Sequence, residues 1–128
     1  MPFHAIETPS LPPNNATYSQ AFRAGDLVFA SGQLGIDAFS GMLAEGIRGQ
    51  TLQAIANLRA VLEAAGSGLE RVAKVNIFIT DFGLLGAMNE VYGLAFPHRP
   101  AKSTVEVSKL DRGALIEIEA VALVAEVR

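Results

Sequence analysis

The sequence predicts a single α+β domain over residues 1–128: a mixed β-sheet with two helices packed on one of its faces. Three observations carry this expectation. Segments alternating apolar and polar with period 2 flank two segments whose apolar residues recur at helical spacing. The order is strands, helix, strand, helix, strands, with no linker or low-complexity tract between them. Half of the 128 residues are apolar and 18% are charged, enough apolar side chains for one sizeable core.

Each element has its own signal. Residues 8–15, TPSLPPNN, hold three prolines and two asparagines and predict a loop or extended arm without regular pairing. Residues 21–33, AFRAGDLVFASGQ, predict a hairpin turning at Ala24-Gly25-Asp26. Gly32, Gly35 and Gly41 then mark a turn-rich segment, with Met42-Leu43 as a short strand. Residues 45–65 give the best helix. Ile47, Thr51, Ile55, Leu58, Leu62 and Ala65 form one stripe, with Ala54 and Val61 beside it, and Gly66 and Gly68 end it. Residues 71–80 follow as a strand with Val75, Ile77 and Ile79 on one face and Lys74, Asn76, Phe78 and Thr80 on the other. Residues 82–96 predict a second helix, weakened by Gly83, Gly86 and Gly93 and stopped by Pro97 and Pro100. Residues 102–107 and 115–127 are the last two strands, joined by the turn-prone run from Lys109 to Gly113.

Composition excludes several functions. With no cysteine there is no disulfide scaffold, thiol nucleophile or thiolate zinc site, and two histidines are too few for a histidine-only cage, so no metal is expected. The formal net charge is -3 and the basic residues are scattered, which offers duplex nucleic acid no electrostatic footprint. No stretch approaches the roughly 20 apolar residues of a membrane span, and Met1-Pro2-Phe3-His4 lacks the regions of a signal peptide. The expectation is a soluble cytoplasmic domain.

The final strands hold the anomaly. In LIEIEAVAL, Ile116, Ile118, Ala120 and Ala122 make an apolar face for the helices. The opposite face sets Glu117 and Glu119 among Leu115, Val121 and Leu123, which suits a half-buried surface against another subunit, with the carboxylates at the rim of a cleft. If the last two strands pair as a hairpin, Lys102 and Thr104 share that face with Glu117 and Glu119. The residues alone leave two readings open: a site of converging lysine, hydroxyl and carboxylate, or an exposed cross-strand ion pair.

Tyr18-Ser19-Gln20-Ala21, Ser31-Gly32-Gln33, the run from Pro100 to Val107 (PAKSTVEV) and Ile116-Glu117-Ile118-Glu119-Ala120 resemble the Rid/YjgF family in order and spacing, and Asn89-Glu90-Val91-Tyr92 resembles its second-helix motif. The resemblance runs from about Tyr18 to the carboxyl terminus. It implies a chorismate-mutase-like fold, a homotrimer with pockets at its subunit interfaces, and no cofactor. It also implies hydrolysis of 2-enamine or 2-imine acids, such as 2-aminoacrylate, to 2-keto acids and ammonia. By the same resemblance Glu117 is the water-activating acid–base residue. Lys102 stands where the deaminases carry a carboxylate-gripping arginine. Thr104 stands where they usually have cysteine, with a backbone able to hold a water. Tyr18 and Asn89 line the pocket, each with a plain alternative as core aromatic or helix cap.

Lysine for arginine is a real departure, because an ammonium on a flexible stem replaces a planar fork. Ser31 has no histidine partner at a plausible spacing and reads as a hydrogen-bond donor or turn residue; Gly32 reads as a backbone amide presented to an anion. His98 reads as a solvated turn residue. Besides the deaminase reading stand two others: a protein that binds small carboxylates such as 2-keto acids without turnover, and the endoribonuclease L-PSP activity attached to the family by name, against which the acidic balance argues.

Overall fold

The computed structural model describes residues 1–12, 14 and 16–125. Its six strands are β1 (Phe3–Ile6), β2 (Ala21–Ala24), β3 (Leu27–Leu34), β4 (Val72–Ile79), β5 (Ala101–Glu106) and β6 (Ile116–Leu123). Its two α-helices are α1 (Gly46–Ala64) and α2 (Leu85–Ala95). The strands form one mixed sheet in the order β1-β2-β3-β6-β4-β5, in which only β4 and β5 run parallel. That parallel pair needs a crossover, and α2 supplies it.

The α+β expectation holds, and most elements fall where the pattern puts them. The β2–β3 hairpin turns at Gly25, whose φ of 62° suits glycine. In α1 the stripe from Ile47 to Leu62 is buried, and Gly66 (φ 81°) lies just past its end. Val75, Ile77 and Ile79 of β4 and Ile116, Ile118, Ala120 and Ala122 of β6 are all buried in the same core, together with Met88, Tyr92 and Phe96. Both helices cover this face. The segment before α2, Phe82–Leu84, is a 3₁₀ turn, capped by the Asp81 carboxylate accepting from Gly83 N–H.

Four expectations change. Strand β1 was not anticipated: it pairs with β2 as a short edge strand, Phe3 opposite Ala24 and Ile6 opposite Ala21. Met42-Leu43 is no strand, only a single bridge from Leu43 to Ile36. The last strand stops at Leu123, after which Val124 N–H donates to Asp26 O and Ala125 N–H to Gly66 O; Val127 lies outside the described residues. So do Pro13 and Asn15 of the proline-rich arm.

The fourth change bears on function. Strands β5 and β6 do not pair; β4 lies between them. Lys102 and Thr104 are opposite Val75 and Ile77, so they share the helix-covered side, whereas Glu117 and Glu119 are opposite Phe78 and Asn76 on the open side. A turn-rich run between two strands looks like a hairpin in sequence. Here it returns the chain across the end of β4 instead, because burying β4 requires a strand on each of its edges.

Close contact between α1 and the end of β3 fixes the sheet's far corner. A Cβ on Gly35 would stand 2.5 Å from the Gln50 carbonyl oxygen, so glycine lets the helix approach. Buried Asn57 donates through Nδ2 to Leu34 O (3.1 Å) and Ile36 O (2.9 Å), and Gln50 Oε1 accepts from Leu115 N–H (2.8 Å). These amides satisfy Ile36 O and Leu115 N–H and give Leu34 O a second donor beside Ile36 N–H. Among the described residues no helix is long and apolar enough to cross a membrane.

Candidate functional site

The open face of the sheet carries the carboxylates. Glu117 pairs with Phe78 on one side and Leu34 on the other; Glu119 pairs with Asn76. Phe29, Leu27 and Leu123 are each about two-fifths exposed on the same face (45%, 38% and 44%), an apolar surface that water covers poorly. Half-buried Glu117 has its carboxyl held above the ordinary range. Burial is the main cause, followed by repulsion from Glu119 and Asp111. The register of β3 against β6 shifts between Ala30 and Gln33, and in that irregularity Gly32 comes down on Glu117. A Cβ added to Gly32 would stand 2.7 Å from the Glu117 carboxyl carbon.

Neighbouring residues frame this point. Ser31 Oγ donates to Ser19 O (2.6 Å), and its N–H to Gln20 O (2.9 Å), which ties the irregular stretch of β3 to the arm before β2. Half-exposed Tyr18 borders a cleft of about 140 Å³ shared with Leu11, Gly32 and Arg112. Arg112, at φ 60°, donates to Gly41 O (2.7 Å) and so closes one wall.

Lys102, Thr104 and Asn89 form a second cluster, at the β5 edge beside α2. Lys102 Nζ donates to Asn89 Oδ1 at 3.2 Å and lies 4.6 Å from the centre of the Tyr92 ring. Thr104 Oγ1 and Tyr92 Oη are buried without a hydrogen-bond partner. Burial pushes the Tyr92 hydroxyl up to about 12, so it stays protonated. The seven residues singled out from sequence therefore fall into two groups. Tyr18, Ser31, Gly32 and Glu117 gather on the open side, and Lys102, Thr104 and Asn89 on the other.

Sequence reasoning missed Lys74 and Tyr92. Lys74 is the lysine on the carboxylate face, where its Nζ donates to Ser103 Oγ (3.1 Å); the period of β4 already placed it there. Tyr92 stands in sequence only as part of the second-helix motif, and the parallel β4–β5 pairing brings Lys102 over its ring. His98 is an exposed turn residue, as expected, and its Nε2 also lies 2.9 Å from Val72 O. No three His, Asp or Glu groups among the described residues converge as a metal site requires.

A sequence-family model described as Endoribonuclease L-PSP matches residues 8–124. The chain belongs to that family, the Rid/YjgF proteins. Its L-PSP relatives include a RutC family protein of Pyrococcus horikoshii, 44% identical over 119 residues that cover 91% of this chain and 94% of that one. Another is the 2-iminobutanoate/2-iminopropanoate deaminase of Dermatophagoides farinae, 39% identical over 125 residues, covering 96% and 98%. Among solved L-PSP structures, RidA from an Antarctic Psychrobacter superposes with a TM-score of 0.91 at 37% identity over 94% of this chain and 99% of that one. Escherichia coli TdcF with bound serine gives 0.90 at 31% identity, covering 94% and 98%.

Proposed function

We propose that this protein hydrolyses 2-imino and 2-enamine acids to 2-keto acids and ammonia, in pockets between the subunits of a homotrimer. The observation that carries the reading is Glu117: a half-buried carboxylate with a raised pKa, seated against Gly32 on an apolar open face. A carboxyl displaced upward from its usual range is a stronger base, better able to take a proton from water. The name of the mite relative supports imine deamination at the level of the family, and serine in TdcF is a ligand the size of 2-aminoacrylate.

Within one chain Lys102 and Glu117 lie on opposite sides of the sheet. A pocket holding both therefore takes them from two copies, with the β5 edge of one against the open face of the next. Covering Leu27, Phe29 and Leu123 supplies the apolar area for such contact. Three copies related by a threefold axis would close the arrangement.

In that pocket Lys102 attracts the substrate carboxylate. Glu117 takes a proton from water as the oxygen attacks the imine carbon, the C=N π electrons pass to nitrogen, and Glu117 returns that proton to nitrogen to give the carbinolamine. Glu117 then takes the hydroxyl proton as the oxygen forms the ketone C=O and passes it to the amine, so that the C–N bond breaks and nitrogen leaves as ammonia. Gly32 offers a backbone N–H. The Thr104 backbone helps to hold the water, and Tyr18, Ser31 and Asn89 line the walls. No metal or organic cofactor takes part.

The direct test generates 2-aminoacrylate enzymatically and follows ammonia and pyruvate. Acceleration by this protein, lowered by roughly 10²-fold in Glu117→Gln, supports the reading. No acceleration together with saturable pyruvate binding would make it a carboxylate-binding protein instead. Cleavage of RNA by protein that leaves 2-aminoacrylate untouched would favour the ribonuclease of the family name.

A further inference from the structure

The lysine that replaces the family's arginine is not a loose cation. Its ammonium is flanked by the Tyr92 ring, 4.6 Å from the centroid, and by Asn89 Oδ1 at 3.2 Å. Asn89 and Tyr92 are three residues apart on α2, hence neighbours on one face of the helix. Tyr92 is itself rigid: 7% exposed, stacked on Phe96 with ring centres 4.7 Å apart, and neutral because burial holds its hydroxyl protonated. Among the described residues no carboxylate forms an ion pair with Lys102: Glu90, next to Asn89, is bonded to Arg48, and Glu106, on the Lys102 face of β5, accepts from Phe82 N–H (2.8 Å). The cation is thus oriented but not neutralised.

We infer that Tyr92 and Asn89 are positioning residues for Lys102, holding its ammonium so that it grips a small carboxylate through one oxygen. The inference rests on the carboxylate-binding role given to Lys102 above. A free lysine spreads its charge over many rotamers, whereas a guanidinium carries its geometry in its own plane. Here the ring face and the amide oxygen supply that geometry from outside. An ammonium has three donors, and with Asn89 taking one and the ring occupying a flank, the remaining direction points out at the sheet edge. Such a site discriminates less by the shape of the anion than a fork does, so it accepts small carboxylates that differ in their second oxygen's surroundings.

Two readouts test this, both on the full chain with pyruvate as the probe. Proton–carbon NMR of the lysine ε-methylenes reports the ring, since protons above an aromatic face are displaced upfield. The chain has three lysines, and Lys102→Ala identifies the displaced signal. Tyr92→Phe should keep both the displaced signal and the affinity, within about twofold. Tyr92→Leu should lose the displacement and raise the dissociation constant for pyruvate by about two- to fivefold. Asn89→Ala alters an exposed side chain and should weaken pyruvate by a similar factor even if Tyr92→Leu disturbs the core. Lysine signals at ordinary positions in the natural protein would overturn the positioning, as would natural affinity in Asn89→Ala and Tyr92→Leu beside weakened binding in Lys102→Ala. Unchanged affinity in Lys102→Ala itself overturns the carboxylate reading, and is told apart by the displaced signal persisting in the natural protein.

Discussion

Gly32 and Glu117 occupy one another's space: the carboxyl carbon of Glu117 lies 2.7 Å from where a Cβ on Gly32 would be. Gly32→Ala must therefore push the carboxylate aside. The backbone there needs no left-handed conformation, and the displaced atoms belong to the outer part of a side chain. The variant should fold with a melting temperature close to that of the natural protein while losing most imine hydrolysis. Full activity in Gly32→Ala would show that the carboxylate does not work from this position.

Glu117 also sets a pH dependence. Its folded carboxyl lies above the ordinary value of 4.5, so between those two values the folded state binds more protons than the unfolded chain. Stability then falls as pH rises through that window, and Glu117→Gln escapes the fall. Thermal melts at pH 4 and pH 7 should show the glutamine variant gaining on the natural protein at the higher pH. Because Glu119 contributes repulsion, Glu119→Gln should move the acid limb of deamination to lower pH. A limb that stays in place would assign the titration to another group.

Lys102→Ala should weaken binding of small 2-keto acids sharply, and Lys102→Arg should restore a fork and raise imine hydrolysis above the natural rate. Isothermal titration with pyruvate and steady-state rates measure the two effects. Indifference to both substitutions would leave Lys102 as a surface cation.

Phe29 is the most exposed of the apolar trio on the open face and pairs with Val121. Phe29→Asp should turn a trimer into monomers by light scattering and abolish deamination with it. If the natural protein is monomeric at micromolar concentration, a pocket built between copies is ruled out.

Asn57 is buried and donates to two backbone carbonyls at the end of β3. Asn57→Leu takes the donor from Ile36 O, while Leu34 O still accepts from Ile36 N–H, and should cost about 1–3 kcal/mol. Urea unfolding should show a lower midpoint with an unchanged slope; a midpoint equal to the natural one would mean that water replaces the amide.

Much of the fold was legible because strand and helix periods are local. The alternation of β4 and β6 named the buried faces residue by residue, and the stripe of α1 did the same. Sheet order was not legible. Nothing in PAKSTVEV says whether it pairs with the strand before or after it, and that choice decides the side on which Lys102 stands. Resemblance picked out Glu117, Gly32 and Lys102 together, but not that one chain keeps the first two apart from the third. Asn57 and Gln50 were invisible for another reason. A polar residue on an apolar helix stripe gives no sign of which distant carbonyl or amide it will meet.

The sheet order has a further consequence for how the protein comes to exist. The strand made last, β6, lies at the centre, between β3 and β4. During synthesis the β1–β2–β3 meander and the β4–α2–β5 unit emerge first, each with an edge that only residues 116–123 can fill. Until that segment leaves the ribosome, two halves with open strand edges wait for a common partner. Closure then depends on contacts distant in sequence, a topology that slows folding.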